Sequence, residues 1–83
     1  MKVAQSARKH GVRSDDALLA AQCFITAYRL GDDPIRELRL GFDSEARLLE
    51  TVVLINEEGT GIVIHAMRAR AAMLDLLPRK EKQ

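Results

Sequence analysis

The 83-residue chain is 47% hydrophobic and 30% charged, a composition that excludes intrinsic disorder and indicates one small globular domain. The low aromatic content disfavours the stacked aromatic platform of many RNA-binding sheets. The net charge is only +1, but residues 1–13 carry +4 and residues 61–83 carry +3, with acidic segments between them. We therefore expect a single domain over residues 1–83, a cationic patch if its ends meet, and a flexible tail at residues 79–83.

The sequence has no feature of a secreted or membrane protein. Its N-terminus lacks the apolar region of a signal peptide, and no segment approaches the roughly 20 apolar residues of a membrane span. The single cysteine, Cys23, cannot form an intramolecular disulfide, which suits a reducing compartment. We expect a cytoplasmic protein that makes no contact with a membrane.

Two short helices are predicted at the N-terminal end. Residues 5–10 form a helical turn that Gly11 ends, because glycine readily adopts the left-handed conformation. Ser14 is a favourable N-cap for a second helix over about residues 15–22. That helix begins with two aspartates, which complement the positive end of the helix dipole.

Four strands follow, separated by turn sequences rich in Gly, Asp, Asn or Pro. The third is almost continuously apolar, which is typical of a strand near the centre of a sheet. We expect an antiparallel meander and then a C-terminal helix over residues 69–77, which Pro78 ends. The predicted fold is α+β, with two N-terminal helices, one C-terminal helix, and strands over residues 24–30, 35–42, 48–55 and 61–67.

The side chains available for chemistry are histidines and cations. No Cys/His cluster has zinc spacing and no glycine-rich loop precedes a helix, so we expect neither a metal nor another cofactor. RNA cleavage needs a base for the 2′-hydroxyl proton, an acid for the leaving oxygen, and positive charge for the phosphorane. The candidate catalytic residues are His10, His65, Arg68 and Arg70, and the candidate substrate-binding residues are Lys9, Arg39 and Arg47.

The two histidines also have structural interpretations. His10 precedes a glycine and could be an ordinary C-terminal helix residue, stabilised by the helix dipole. His65 alternates with Val63 and Met67 along one predicted strand face, which is typical of a half-buried, hydrogen-bonded histidine.

The arginines have structural interpretations as well. Arg39 and Arg47 have acidic neighbours and could form surface ion pairs. Arg68 and Arg70 would point about 200° apart on a helix. At most one of these two therefore faces a given phosphate.

Four short motifs occur in a characteristic order. They are KHGV at residues 9–12, RLG at 39–41, LETVV at 49–53 and VIHAMRAR at 63–70. In this order and spacing they resemble the BrnT-type toxins of bacterial toxin–antitoxin pairs, within the wider RelE-like ribonuclease superfamily. The resemblance covers roughly residues 6–77.

The resemblance implies a RelE/BrnT-like fold and a toxin that cleaves RNA. It also implies an antitoxin partner, which often carries a ribbon-helix-helix DNA-binding part. Lys9 and His10 match the lysine-histidine-glycine motif of the family, and Arg39 matches the arginine on its second strand. Arg68 or Arg70 matches the basic residue after the last strand.

Two features depart from the family pattern. The extended N-terminal strand with its tryptophan–aspartate pair is missing, and the net charge is lower than an RNA-degrading toxin typically carries. A sheet edge left open in this way favours homodimerisation through strands. The alternative function is a noncatalytic interaction module that binds a protein partner, or a second copy of itself, through an apolar helix face.

Overall fold

A computed structural model describes residues 1–78, so the tail predicted at residues 79–83 lies outside the described residues. The described part is α+β, as the sequence pattern predicts, with one α-helix packed on a five-stranded sheet. In chain order the elements are β1 (Lys2–Val3), a first 3₁₀ helix (Gln5–Arg8), α1 (Ser14–Gln22), β2 (Phe24–Asp32), β3 (Ile35–Phe42), β4 (Leu48–Ile55), β5 (Gly61–Arg68) and a second 3₁₀ helix (Ala71–Leu76).

The sheet is mixed rather than purely antiparallel. Its strand order is β1-β5-β4-β3-β2, and β2 to β5 form the predicted antiparallel meander. The additional strand, β1, pairs in parallel with β5 and is too short for a periodic pattern to reveal it. β1 covers part of the β5 edge, where the missing N-terminal strand was expected to leave the sheet open. Among the described strands, the open edge is β2 instead.

Small side chains bring α1 close to one face of the sheet, here called the helix face. Ala17, Ala20 and Ala21 are at most 1% exposed. A Cβ atom on Gly41 of β3 would lie 2.2 Å from the carbonyl oxygen of Ala20. Glycine at this position therefore permits the close approach of helix and sheet. The core of this face includes the fully buried Val53 of β4.

The start of α1 differs from the prediction in its cap. The helix begins at Ser14 itself, and the N-cap residue is Arg13, with no side-chain hydrogen bond, so the predicted Ser14 cap is wrong. Asp16 instead accepts a hydrogen bond from the Ser44 N–H at 3.0 Å. This contact ties the first turn of α1 to the loop between β3 and β4.

The C-terminal segment is a 3₁₀ helix over Ala71–Leu76 rather than the α-helix predicted over residues 69–77. The N–H of Ala69 extends the hydrogen bonding to β4, and the N–H of Arg70 donates to the Glu50 carboxylate. Both N–H groups therefore donate to β4 instead of to the carbonyl groups of a helix. The remaining segment is too short to offset the cost of nucleating an α-helix.

Candidate active site

A buried carboxylate, Glu50, lies near the middle of the largely apolar β4. The residue is 1% exposed. It lies opposite Leu40 of β3 and Met67 of β5, which places its side chain on the sheet face opposite α1. A buried charge is tolerated only where hydrogen bonds and opposite charges replace water. The partners of Glu50 therefore define the candidate site.

Arg70 and His65 are those partners. Arg70 donates from Nε to Oε2 at 3.1 Å and from Nη2 to Oε1 at 2.8 Å, and Nε2 of His65 lies 3.3 Å from Oε1. Burial alone would raise the pKa of Glu50, but hydrogen bonds from Arg70 and His65 outweigh it and lower the pKa below its ordinary value. Glu50 is therefore ionised at neutral pH.

The charge of Glu50 determines which ring nitrogen of His65 carries the proton in this contact. An ionised carboxylate can only accept hydrogen bonds, so Nε2 of His65 carries the proton, an assignment that rests on the hydrogen bonding. In the neutral imidazole the lone pair is then on Nδ1. Glu50 thereby fixes one tautomer of His65.

A β-bulge in β5 directs His65 towards the buried carboxylate. Val52 lies opposite His65 and Val53 lies opposite Val63, so Ile64 is an extra residue in β5. Because Val52 and Val53 lie on opposite faces, His65 and Val63 also do. The predicted shared face of His65 and Val63 is therefore wrong: Val63 joins the helix-face core, and the His65 side chain remains 29% exposed on the other face.

His10, from the N-terminal part of the chain, lies beside His65. The first 3₁₀ helix is held on β5 by Ser6, whose Oγ donates to the carbonyl of Ile64 at 2.8 Å. Gly11, with φ at +79°, turns the chain directly after His10 and confirms the predicted left-handed glycine. The His10 and His65 rings meet edge to face, with centroids 5.5 Å apart. We call Glu50, His65, His10 and Arg70 the Glu50 cluster.

Arg68 and Arg47 line a groove on the helix face. Arg68 lies opposite Leu49 in the sheet register, so it faces a different site from Arg70. The groove has a volume of about 310 Å³ and is lined by residues 10–13, Asp16, Asp43, Arg47, Leu49 and Arg68. We call it the arginine groove. His10 contributes to both sites, so the groove adjoins the Glu50 cluster.

Two of the predicted binding residues lie in neither site. The Arg39 side chain is 14% exposed and donates to the carbonyl of Ala21 at 3.0 Å and to Glu37 at 3.1 Å. Its guanidinium also stacks 4.8 Å from the Phe24 ring centroid, so it fastens the end of α1 to the sheet. Lys9 is exposed, and within residues 1–78 its side chain makes no hydrogen bond or ion pair.

Glu50 is not among the site residues that the sequence predicts. The available signal was a single acid in an apolar strand, since a buried acid is rare unless it is paired. That signal is ambiguous, because the neighbouring Thr51 is equally buried and serves the sheet by donating to the Arg39 carbonyl at 3.0 Å.

Compared with known protein families, curated proteins and solved structures, the chain has no match. In the part of the chain that the structure describes, no three His, Cys, Asp or Glu side chains are arranged to hold a metal ion. None of the described helices is long and apolar enough to cross a membrane. A functional assignment therefore depends on the geometry of the two sites.

Proposed function

We propose that this chain is a toxin-like endoribonuclease that cleaves RNA with the Glu50 cluster, without a metal ion, in the bacterial cytoplasm. The proposal rests on the edge-to-face contact between the His10 and His65 rings, whose centroids are 5.5 Å apart. Two imidazoles beside one substrate can supply both the acid and the base that phosphodiester cleavage needs. The motif resemblance to BrnT-type toxins supports the same reaction.

His65 is the proposed base. Its Nε2 is held by the ionised Glu50, which leaves Nδ1 to take the proton of the RNA 2′-hydroxyl. The 2′-oxygen then forms a bond to phosphorus. Glu50 also holds the ring in place through the hydrogen bond from Nε2.

His10 is the proposed acid. It is exposed to solvent, so it can be protonated again after each turnover. As the bond from phosphorus to the 5′-oxygen breaks, His10 donates a proton to that oxygen. The products are a 2′,3′-cyclic phosphate and a 5′-hydroxyl end, and no oxidant or cofactor enters the balance.

Arg70 supplies fixed positive charge next to the reacting phosphate. The Glu50 carboxylate holds its guanidinium by two N–H groups, and its side chain is still 61% exposed. The N–H groups that remain are free to face the phosphorane oxygens, where preorganised positive charge lowers the barrier.

A protein partner is the second candidate ligand, and the open edge of the sheet favours it. Four apolar residues of β2, namely Phe24, Ile25, Tyr28 and Leu30, are 41–52% exposed. An exposed edge strand of this kind can accept a strand from a partner. The partner would be an antitoxin, for which the resemblance implies a ribbon-helix-helix protein, or a second copy in a homodimer. Without cleavage, the chain would be a noncatalytic interaction module.

Induced expression in a bacterial host tests the proposed function. We expect the wild type to arrest growth and degrade bulk RNA, and the double variant His10→Ala/His65→Ala to do neither, because both proton-transfer groups are lost. Immunoblots and circular dichroism of the purified proteins check that both are folded and equally abundant. Normal growth of cells that contain folded wild-type protein would contradict a ribonuclease and favour the interaction module.

A further inference from the structure

We propose that the arginine groove binds a backbone phosphate of single-stranded RNA, next to the phosphate that is cleaved. The link to cleavage rests on the proposed ribonuclease function, whereas the binding itself does not. The two sites adjoin because His10 lines the groove and also contacts His65 of the Glu50 cluster. A strand whose scissile phosphate lies beside the two histidines would therefore continue past His10 into the groove.

The two carboxylates of the groove are already engaged by the protein. Asp43 is 6% exposed and accepts hydrogen bonds from the N–H groups of Glu45 and Arg47 and from Nε of Arg47, at 2.8–2.9 Å. Asp16 is 7% exposed and accepts from the Ser44 N–H. Asp43 thus holds Arg47, and among the described residues neither carboxylate bonds to Arg68.

The cations of the groove are less fully engaged. Within residues 1–78, Arg68 makes no ion pair and no side-chain hydrogen bond. Arg13 approaches only Asp15, at 4.0 Å, with both side chains at least 79% exposed. Arg47 is paired through Nε and Nη2 and keeps the donors of Nη1. Guanidinium groups with free donors are well suited to a phosphate oxygen pair.

The shape and lining of the groove favour backbone contacts over base contacts. A volume of about 310 Å³ lies at the lower end of small-ligand sites, enough for a phosphate and its sugar. Its floor includes Leu49, which is 1% exposed, and no Phe or Tyr lines it. Because the groove has no Phe or Tyr platform for stacking bases, it would fix the position of the strand and contribute little sequence preference.

Binding of an uncleavable strand tests the groove separately from catalysis. The probe is fluorescein-labelled hexathymidylate, a DNA that lacks the 2′-hydroxyl, titrated by fluorescence anisotropy at about 20 to 200 mM salt. For Arg68→Gln we expect about fivefold to tenfold weaker binding at low salt, because an exposed charge-assisted hydrogen bond is lost. The slope of log affinity against log salt should fall by about 0.7, the value for one phosphate contact of a single strand.

The matched control is Arg29→Gln, which removes the same charge from β2, where Arg29 pairs with Asp32 at 3.2 Å. We expect it to bind like the wild type. If Arg68→Gln fails to fold, Arg13→Gln provides the same comparison. Equal losses for Arg29→Gln and the groove variants, or binding of inorganic phosphate without tighter binding of the oligonucleotide, would overturn the proposal.

The binding result and the cleavage result are independent. Binding that depends on Arg68, in a protein that leaves RNA intact, would retain the phosphate site and reject the ribonuclease. RNA cleavage with hexathymidylate binding unaffected by Arg68→Gln would retain the ribonuclease and reject the site.

Discussion

Replacing His65 with glutamine is expected to slow RNA cleavage by the purified protein by about 100-fold to 10,000-fold, the usual contribution of a positioned acid or base. Glutamine can still donate a hydrogen bond to Glu50, which lies 3.3 Å from Nε2 of the histidine, but it cannot take the 2′-hydroxyl proton. The expected loss is therefore chemical and not structural. Initial rates on a fluorogenic RNA measure it.

His10→Ala and the double variant complete this test. Because the acid and the base act in one reaction, the double variant should lose less than the product of the two single losses. Wild-type activity should peak at an intermediate pH, since one ring must be protonated and the other neutral. Thermal unfolding of each variant checks its fold. A folded His65→Gln variant that cleaves RNA at the wild-type rate would rule out His65 as the base.

Replacing Glu50 with glutamine is expected to lower the free energy of unfolding by about 2 kcal/mol at pH 7, because charge-assisted hydrogen bonds from Arg70 and His65 are weakened. The carboxylate is 1% exposed, so water does not replace these contacts. Urea denaturation measures the loss. The matched control is Glu57→Gln, at an exposed position in the loop after β4, which should change stability little.

The pH dependence of the Glu50 contribution has a definite sign. Because the folded protein lowers the pKa of Glu50, the stabilisation is present above the ordinary pKa of a glutamate and is lost as the pH falls through the lower, folded value. The gap in stability between wild type and Glu50→Gln should therefore narrow below about pH 4. A gap that is constant down to pH 3 or lower would mean that the ionised carboxylate is not its source.

The regular strands of this fold could be predicted from the sequence. The bounds of β3 and β4 match the predicted segments at residues 35–42 and 48–55, and β2 and β5 extend the predicted segments by one or two residues. These strands have clear apolar patterns and turn residues at their ends, which are local signals. The fold class followed from them.

The remaining differences arise where tertiary contacts override local signals. β1 has two residues and exists because β5 offers it an edge. The C-terminal segment has strong helix formers, yet the N–H of Arg70 is captured by Glu50. The bulge at Ile64 has no glycine or proline to mark it, and it decides which face His65 occupies.

The candidate site was predictable in its residue types and only partly in its geometry. His10 and His65 were singled out, and the structure brings their rings together. Arg39 was singled out by the motif resemblance, but its acidic neighbour Glu37 was the better guide, because the two form an ion pair at 3.0 Å. Glu50 could not be distinguished from the buried Thr51 until its partners were known.

The most direct test of RNA cleavage by the two histidines is an analysis of the ends that the purified protein produces in the presence of EDTA. We predict RNA fragments with 2′,3′-cyclic phosphate and 5′-hydroxyl ends from the wild type, and intact RNA from the His10→Ala/His65→Ala double variant. Cleavage by the double variant at the wild-type rate, or intact RNA after incubation with folded wild-type protein, would contradict the account.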